Sequence, residues 1–265
     1  MTKRLILPFL FPVLMFLVPG TSTVFSQTLA AKTVTVDSNC HGFYEYLPKD
    51  YDKGKKKYPL LIFLHGLGEL GNGGPDLPKV LRNGPGRLIA DSTFPDAFVV
   101  AGKTYRFIVF MPQFIHWPWP GTTQAIVDYA VKHYRVDRSR IYLTGLSMGG
   151  GATWECVGNS KKHAKQIAAI VPVCGASLAD SIKAQRIAAA GLPVWALHNE
   201  GDPVVTVEFT KKYTRYINGA PLPPALPARE TIFPVTGHNA WTKAYDPQYR
   251  ENGMNVYEWM LSHHR

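Results

Sequence analysis

The sequence predicts an α/β domain: a mostly parallel sheet, helices on both faces, and an antiparallel hairpin at the N-terminal edge. Three observations carry this. Continuous apolar, β-rich runs recur along the chain, helical patterns separate most of them, and no linker or internal repeat interrupts residues 40–265. Strands buried on both faces read as unbroken apolar runs, and the helices that cover them alternate with them in sequence.

The first 26 residues stand apart from this pattern. Lys3 and Arg4 precede the apolar stretch Leu5 to Val18, which is followed by Pro19-Gly20 and a short polar segment. This is the layout of a secretory signal peptide with a cut at Ser26-Gln27. Its apolar run is too short for a membrane span, which takes roughly 20 residues, and no cysteine stands directly after it for lipid anchoring. The expected division is therefore a signal peptide over 1–26 and one catalytic domain over 27–265, secreted or periplasmic, with no stable membrane insertion after cleavage.

Within the domain, Thr33 to Val36 and Phe43 to Leu47 alternate and suit the edge hairpin. Strands are expected at Leu60 to Leu64, Phe107 to Met111, Arg140 to Thr144, Ile167 to Val173, Pro193 to Leu197 and Glu230 to Phe233. Helical patterns run over Thr123 to Tyr134, Gly149 to Gly158, Ile182 to Ala190, Thr206 to Ile217 and Gly253 to Leu261. With 265 residues, 46% of them hydrophobic, the chain can bury one large core.

The formal charge is +10. Taking Lys3 and Arg4 from the 29 basic residues leaves 27 against 19 acidic, or +8. The lysine cluster in "DKGKKKY", residues 52–58, has the composition of a solvated turn. A basic surface favours anionic surroundings or a polyanionic substrate, and no recognition motif accompanies it to suggest nucleic acid. The 3 cysteines, Cys40, Cys156 and Cys174, lack the dense, even spacing of a disulfide scaffold.

One stretch concentrates chemistry. "TGLSMGGGATW", from Thr144 to Trp154, sets a single serine among four glycines directly after a predicted strand. Glycine is costly inside an element and serves where the backbone must be strained or closely approached. The pattern Gly145-x-Ser147-x-Gly149 matches a nucleophile elbow, a tight strand-to-helix turn that lifts a serine hydroxyl above the sheet. A plain glycine turn is the competing explanation.

The partners of such a serine decide between the two. In sheets of this kind, functional groups collect past the carboxyl ends of strands. The strand Pro193 to Leu197 leads into "HNEGDPVV", where Asp202 is the candidate acid; Glu200 competes with a longer side chain, and an ordinary capping role for Asp202 is the plain alternative. His238, in "PVTGHNAW", follows the last strand and precedes the last helix. His198 lies too close to Asp202 to be a separate arm, and the other histidines fall at the terminus, in polar segments or outside this order. An oxyanion hole would use the Met148 amide, next to the nucleophile, and the Leu67 amide in "IFLHGLGELG". His65, in the same loop, is expected to brace it.

With these residues in place the chain resembles the secreted bacterial hydrolases related to the phospholipase/carboxylesterase and feruloyl esterase-like carbohydrate esterases. "FYEYLPKDYDKGKKKYPLLIFLHGLGELG", "MPQ", "GLSMGGGATW", "VPVCG" and "GHNAWTKAY…YEWM" carry the resemblance, from about Gly42 to Trp259. It implies the α/β-hydrolase fold, a Ser147, Asp202, His238 triad and Leu67 and Met148 as oxyanion donors. "NEGDPVV" departs from the group in having a glutamate where a small residue often precedes the aspartate.

The expected activity is therefore a serine esterase acting on small-molecule or polysaccharide-linked esters of feruloyl or acetyl type, with no metal and no organic cofactor. Gln113, Trp117, Trp119 and Trp241 are the candidate substrate contacts, because their loops should open on the edge of Ser147 and flat rings suit an aromatic acyl group or a sugar. Two other classes compete: a serine peptidase of the prolyl oligopeptidase type, which usually needs a further domain, and a non-catalytic binding protein, which is expected to have lost part of the triad.

Overall fold

The computed structural model describes residues 1–2 and 28–265, so the expected signal peptide and its cut lie outside the described residues. Ten strands are present among the described residues: β1 Thr28–Lys32, β2 Gly42–Leu47, β3 Tyr58–Leu64, β4 Phe98–Val100, β5 Lys103–Tyr105, β6 Ile108–Gln113, β7 Val136–Leu146, β8 Ala169–Val173, β9 Trp195–Gly201 and β10 Arg229–Thr236. The helices are α1 Gly84–Ala90, α2 Pro120–His133, α3 Met148–Asn159, α4 Lys161–Gln166, α5 Ser181–Ala189, α6 Glu208–Asn218, α7 Trp241–Ala244 and α8 Val256–Leu261.

Eight strands form one sheet in the order β1-β2-β6-β3-β7-β8-β9-β10, while β4 and β5 form a separate ribbon. The six strands from β6 to β10 in this order run parallel, and β1 and β2 add an antiparallel edge. β3 and β6 are buried along their whole lengths, as strands covered on both faces must be. Side-chain alternation divides the core in two. Leu60, Ile62 and Leu64 face a cluster with Val127, Trp154, Ile187 and Tyr213, while Leu61 and Phe63 face one with Ile89, Tyr245, Tyr257 and Met260.

The register sets the ends of β7 and β8 level with the middle of β9. Leu146 of β7 pairs with Val173 of β8, which pairs with Leu197 of β9. The next residue of each, Ser147, Cys174 and His198, therefore starts from the same level of the sheet's carboxyl edge.

Two parts of the sequence expectation need correction. The first edge strand is Thr28–Lys32, with Lys32 opposite Phe43, and not Thr33 to Val36. The latter segment leads into a tight return, where the Val36 N–H donates to the Cys40 carbonyl at 2.8 Å; alternation alone does not fix which part of "TLAAKTVTV" pairs. The β4–β5 ribbon and the short helices α1, α4 and α7 are additional, each too brief to give a periodic signal. The three cysteines are all buried and unpaired. Among the described residues, no helix is long and apolar enough to cross a membrane.

Candidate active site

Ser147 occupies the junction between β7 and α3 with φ 51° and ψ −115°, a left-handed conformation uncommon for a residue with a side chain. The surrounding backbone holds it there. Its N–H donates to the Val173 carbonyl at 3.0 Å, and its own carbonyl accepts from the Gly151 and Ala176 amides, both at 2.9 Å.

The flanking glycines are required by close approach. A β-carbon on Gly145 would stand 2.5 Å from the Gly149 carbonyl carbon, and one on Gly149 would stand 2.0 Å from the Leu64 carbonyl oxygen. The elbow is thereby pressed against the end of β3. Gly66 in the following loop is correspondingly close to Ser147: a β-carbon there would lie 3.8 Å from that of the serine.

His238 follows β10 on a turn held by β9. Gly237 has φ 109°, its N–H donates to the Gly201 carbonyl at 3.0 Å, and its carbonyl accepts from Asn199 Nδ2 at 2.7 Å. These contacts aim the imidazole back toward β7, where His238 Nε2 lies 2.9 Å from Ser147 Oγ. On the other side of the ring, His238 Nδ1 lies 2.7 Å from Asp202 Oδ2.

The Asp202 side chain is fully buried. Its Oδ1 accepts from the Val204 and Val205 amides at 2.8 and 3.0 Å. Burial pushes its carboxyl up, but the hydrogen bonds from His238 and the two amides outweigh that and hold it below the ordinary carboxylate range. Glu200 is turned outward and pairs with Lys211 Nζ at 2.8 Å. The helix α6 starts later, with Val207 at its N-cap, so Asp202 caps the 203–205 turn rather than that helix.

The loop after β3 carries Leu67 at the start of a short 3₁₀ turn, Leu67–Glu69. Among the described residues, neither the Leu67 amide nor the Met148 amide has a backbone acceptor outside its own element, and the first amide of a helix has none within it. His65 braces this loop: Nε2 accepts the Phe114 N–H at 2.9 Å and Nδ1 lies 2.7 Å from the Gly66 carbonyl.

The four candidate substrate contacts separate. Gln113 is fully buried, and its amide group is taken up by the 69–76 loop, donating to the Glu69 and Asp76 carbonyls at 3.0 and 2.8 Å and accepting from the Gly73 N–H at 2.9 Å. It therefore shapes the loop beside the site from within. Trp117 and Trp119 are 44% and 76% exposed on the loop after β6. Trp241 is half-buried, packs edge-to-face on His238 with ring centroids 5.2 Å apart, and donates its indole N–H to Asn83 Oδ1 at 3.0 Å. It also lines a cavity of about 300 Å³ between α1 and α7, together with Asn83, Gly84, Arg87, Leu88 and Tyr245. Asn83 continues the chain by donating to buried Glu69, linking α7 to the Leu67 loop. Neither Asn83 nor Glu69 carries a sequence signal, since each lies in an aperiodic loop.

Residues 120–244 match the Phospholipase/Carboxylesterase family. A bifunctional acetylxylan esterase/xylanase of Neocallimastix patriciarum is 29% identical over 168 residues, covering 58% of this chain and 21% of the relative. The chain thus spans about a fifth of the length of that curated relative. Among solved structures, a thermostable esterase superposes with TM-score 0.61 at 24% identity, covering 90% of this chain and 63% of the other. A feruloyl esterase module from Clostridium thermocellum, complexed with sinapinate, superposes with TM-score 0.54 at 16% identity, covering 82% and 83%. The chain has the α/β-hydrolase fold. Its antiparallel edge, parallel centre and serine at the end of β7 are the parts of that fold that bear on chemistry, and its sequence resembles the phospholipase/carboxylesterase group over α2 through α7.

Proposed function

We propose that this α/β-hydrolase is a serine esterase that cleaves carboxylic esters through an acyl-enzyme, with Ser147 as nucleophile, His238 as general base and Asp202 as its orienting acid. The observation that carries the reading is the continuous chain from Ser147 Oγ to His238 Nε2 at 2.9 Å and from His238 Nδ1 to Asp202 Oδ2 at 2.7 Å.

Each step follows from those contacts. A serine hydroxyl attacks only as a base removes its proton, and His238 Nε2 is within reach to take it. The ionised Asp202 fixes the tautomer with hydrogen on Nδ1 and stabilises the imidazolium. The amides of Leu67 and Met148 receive the tetrahedral oxyanion; removing one such donor typically raises a barrier by about 3 kcal/mol. His238 then protonates the departing alcohol, and a water activated by the same ring hydrolyses the acyl-enzyme. No step calls for a metal or an organic cofactor.

The substrate class is a carbohydrate-linked or aryl ester of acetyl or feruloyl type. The names of the acetylxylan esterase relative and the sinapinate-bound feruloyl esterase module support it, as does Trp241 beside His238. The amino-terminal leader expected over residues 1–26 adds export, which would bring the enzyme to polymeric esters outside the cell.

Purified protein is to be assayed on an aryl acetate, a feruloyl ester, an acetylated xylo-oligosaccharide and a peptide amide. Ester cleavage that disappears in Ser147→Ala, with the fold retained by circular dichroism, is the expected result. Cleavage of the amide in preference to every ester would replace the esterase by a peptidase, and full activity in Ser147→Ala would remove this site from the reaction.

A further inference from the structure

His198 shares the triad's acid. Its side chain is fully buried in the middle of β9, and Nε2 lies 3.2 Å from Asp202 Oδ2, the same oxygen that meets His238 Nδ1. His198 Nε2 also lies 3.0 Å from the Val205 carbonyl, and Nδ1 lies 2.8 Å from Thr210 Oγ1.

These neighbours determine the tautomer. A carbonyl oxygen only accepts, so the Val205 contact requires a hydrogen on Nε2. Thr210 can donate its hydroxyl hydrogen, which leaves Nδ1 as the acceptor. Burial pushes the imidazole's proton affinity down, in keeping with a neutral ring. The single Nε2–H is then committed to the Val205 carbonyl at 3.0 Å, and Asp202 Oδ2 stands 3.2 Å from the same nitrogen, against the positive end of the N–H dipole. Asp202 accepts hydrogen bonds at both oxygens from three N–H groups, Val204, Val205 and His238, and His198 Nε2 stands beside Oδ2 as a fourth neighbour.

We infer that His198 is a positioning residue of the triad, holding a neutral N–H dipole against Asp202 Oδ2 so that the carboxylate keeps its plane and stays the less basic partner of His238. The inference rests on the proposed triad. A neutral donor is suited to this place. It supports the carboxylate without adding a second positive charge beside the imidazolium that forms during turnover. The two backbone amides that bond this carboxylate both serve Oδ1, so the neighbours of Oδ2 are the two imidazoles.

The sign of its effect on activity can be worked out. Removing the His198 donor leaves Oδ2 more basic and its attraction for the His238 imidazolium stronger. The base then holds its proton to higher pH, and the acid limb of kcat/KM moves up. The other groups facing the pair are the Cys174 thiol just after β8, pushed up by burial to about 12, and Glu69 through Asn83 and Trp241; the nearby Glu200–Lys211 pair from β9 and α6 points outward. These are common to all variants, so they cancel from the difference.

The test compares the pH dependence of kcat/KM on a short-chain aryl ester for wild type, His198→Leu and His198→Gln. Leucine removes the donor, whereas the glutamine amide can donate to the same oxygens and accept from Thr210. In His198→Leu the acid limb should rise by about half a pH unit or more and kcat should fall about tenfold with KM nearly unchanged. His198→Gln should recover most of both. A folded His198→Leu with wild-type rate and acid limb overturns the inference. Nitrogen NMR of the wild-type protein tests the same arrangement without a variant or an active assay: His198 should keep a hydrogen on Nε2 and none on Nδ1 across the acid limb. A hydrogen on Nδ1, or a second proton gained in that range, also overturns it.

Discussion

Gly149 meets Leu64 so closely that a β-carbon on the glycine would stand 2.0 Å from the leucine's carbonyl oxygen. The first turn of α3 is therefore wedged against the end of β3, which sets Ser147 beside the Leu67 loop. Gly149→Ala should force the two backbones apart. Overpacking of this kind costs about 1–3 kcal/mol or more, and the separation should also displace Ser147 from the Leu67 amide, the oxyanion donor proposed for it. Gly121→Ala is the matched control, since no atom lies within 4 Å of its β-carbon position. Urea unfolding should show a clear loss for the first and little change for the second; equal midpoints would mean the elbow tolerates expansion.

Asp202 and Glu200 lie two residues apart and face opposite ways. Asp202→Asn should lower kcat by roughly four orders of magnitude, the scale seen when a triad aspartate is replaced and the imidazole takes the wrong tautomer. Glu200→Gln removes only an exposed ion pair with Lys211, and such pairs contribute about 0–1 kcal/mol. Its rate should stay close to wild type. If steady-state rates rank the other way, the acid is Glu200.

The tryptophans divide by exposure. Trp241 touches His238 and closes one side of the α1–α7 cavity, whereas Trp119 is 76% exposed. Trp241→Leu should reduce kcat/KM for a feruloyl ester about fivefold more than for an acetyl ester, since an aromatic pair is worth about 1 kcal/mol beyond its buried area. Trp119→Ala should leave that ratio alone on small esters. A ratio unchanged by Trp241→Leu would place the aryl group elsewhere.

The parts of this site visible in the sequence are those tied to strand ends. Ser147, Asp202 and His238 follow three of the last four apolar runs, so their order and edge can be read from the hydrophobic pattern. The hairpin register, by contrast, depends on which residues of an alternating run find partners. Gln113 shows a different limit. It ends β6 at the active edge, but strand alternation turns its side chain inward, where the 69–76 loop uses every polar atom. His198 is dismissed in sequence for being near Asp202, yet the turn after β9 folds Asp202 back until the two side chains meet. Closeness in sequence excludes an independent triad arm; it does not exclude a direct contact with the acid.

His65 makes the stability of the fold depend on pH. Its imidazole is buried, accepts the Phe114 N–H at Nε2, and faces the Gly66 carbonyl with Nδ1. Burial lowers its pKa from 6.5 to about 4. Between those values the unfolded chain binds a proton at this residue and the folded chain does not. Stability is therefore fully present above pH 6.5 and falls with acidification until the folded group also protonates, near pH 4. At 1.36 kcal/mol per unit the loss is about 3 kcal/mol across that window. Protonation also places a hydrogen on Nε2, opposite the Phe114 N–H, which should loosen the loop carrying Leu67. The urea midpoint of wild type should fall between pH 7 and pH 4.5, and His65→Gln, which lacks the titration, should show a shallower fall from its own starting value. A wild-type midpoint that is flat over this range, or a His65→Gln slope as steep as wild type, would assign the acid sensitivity to other groups.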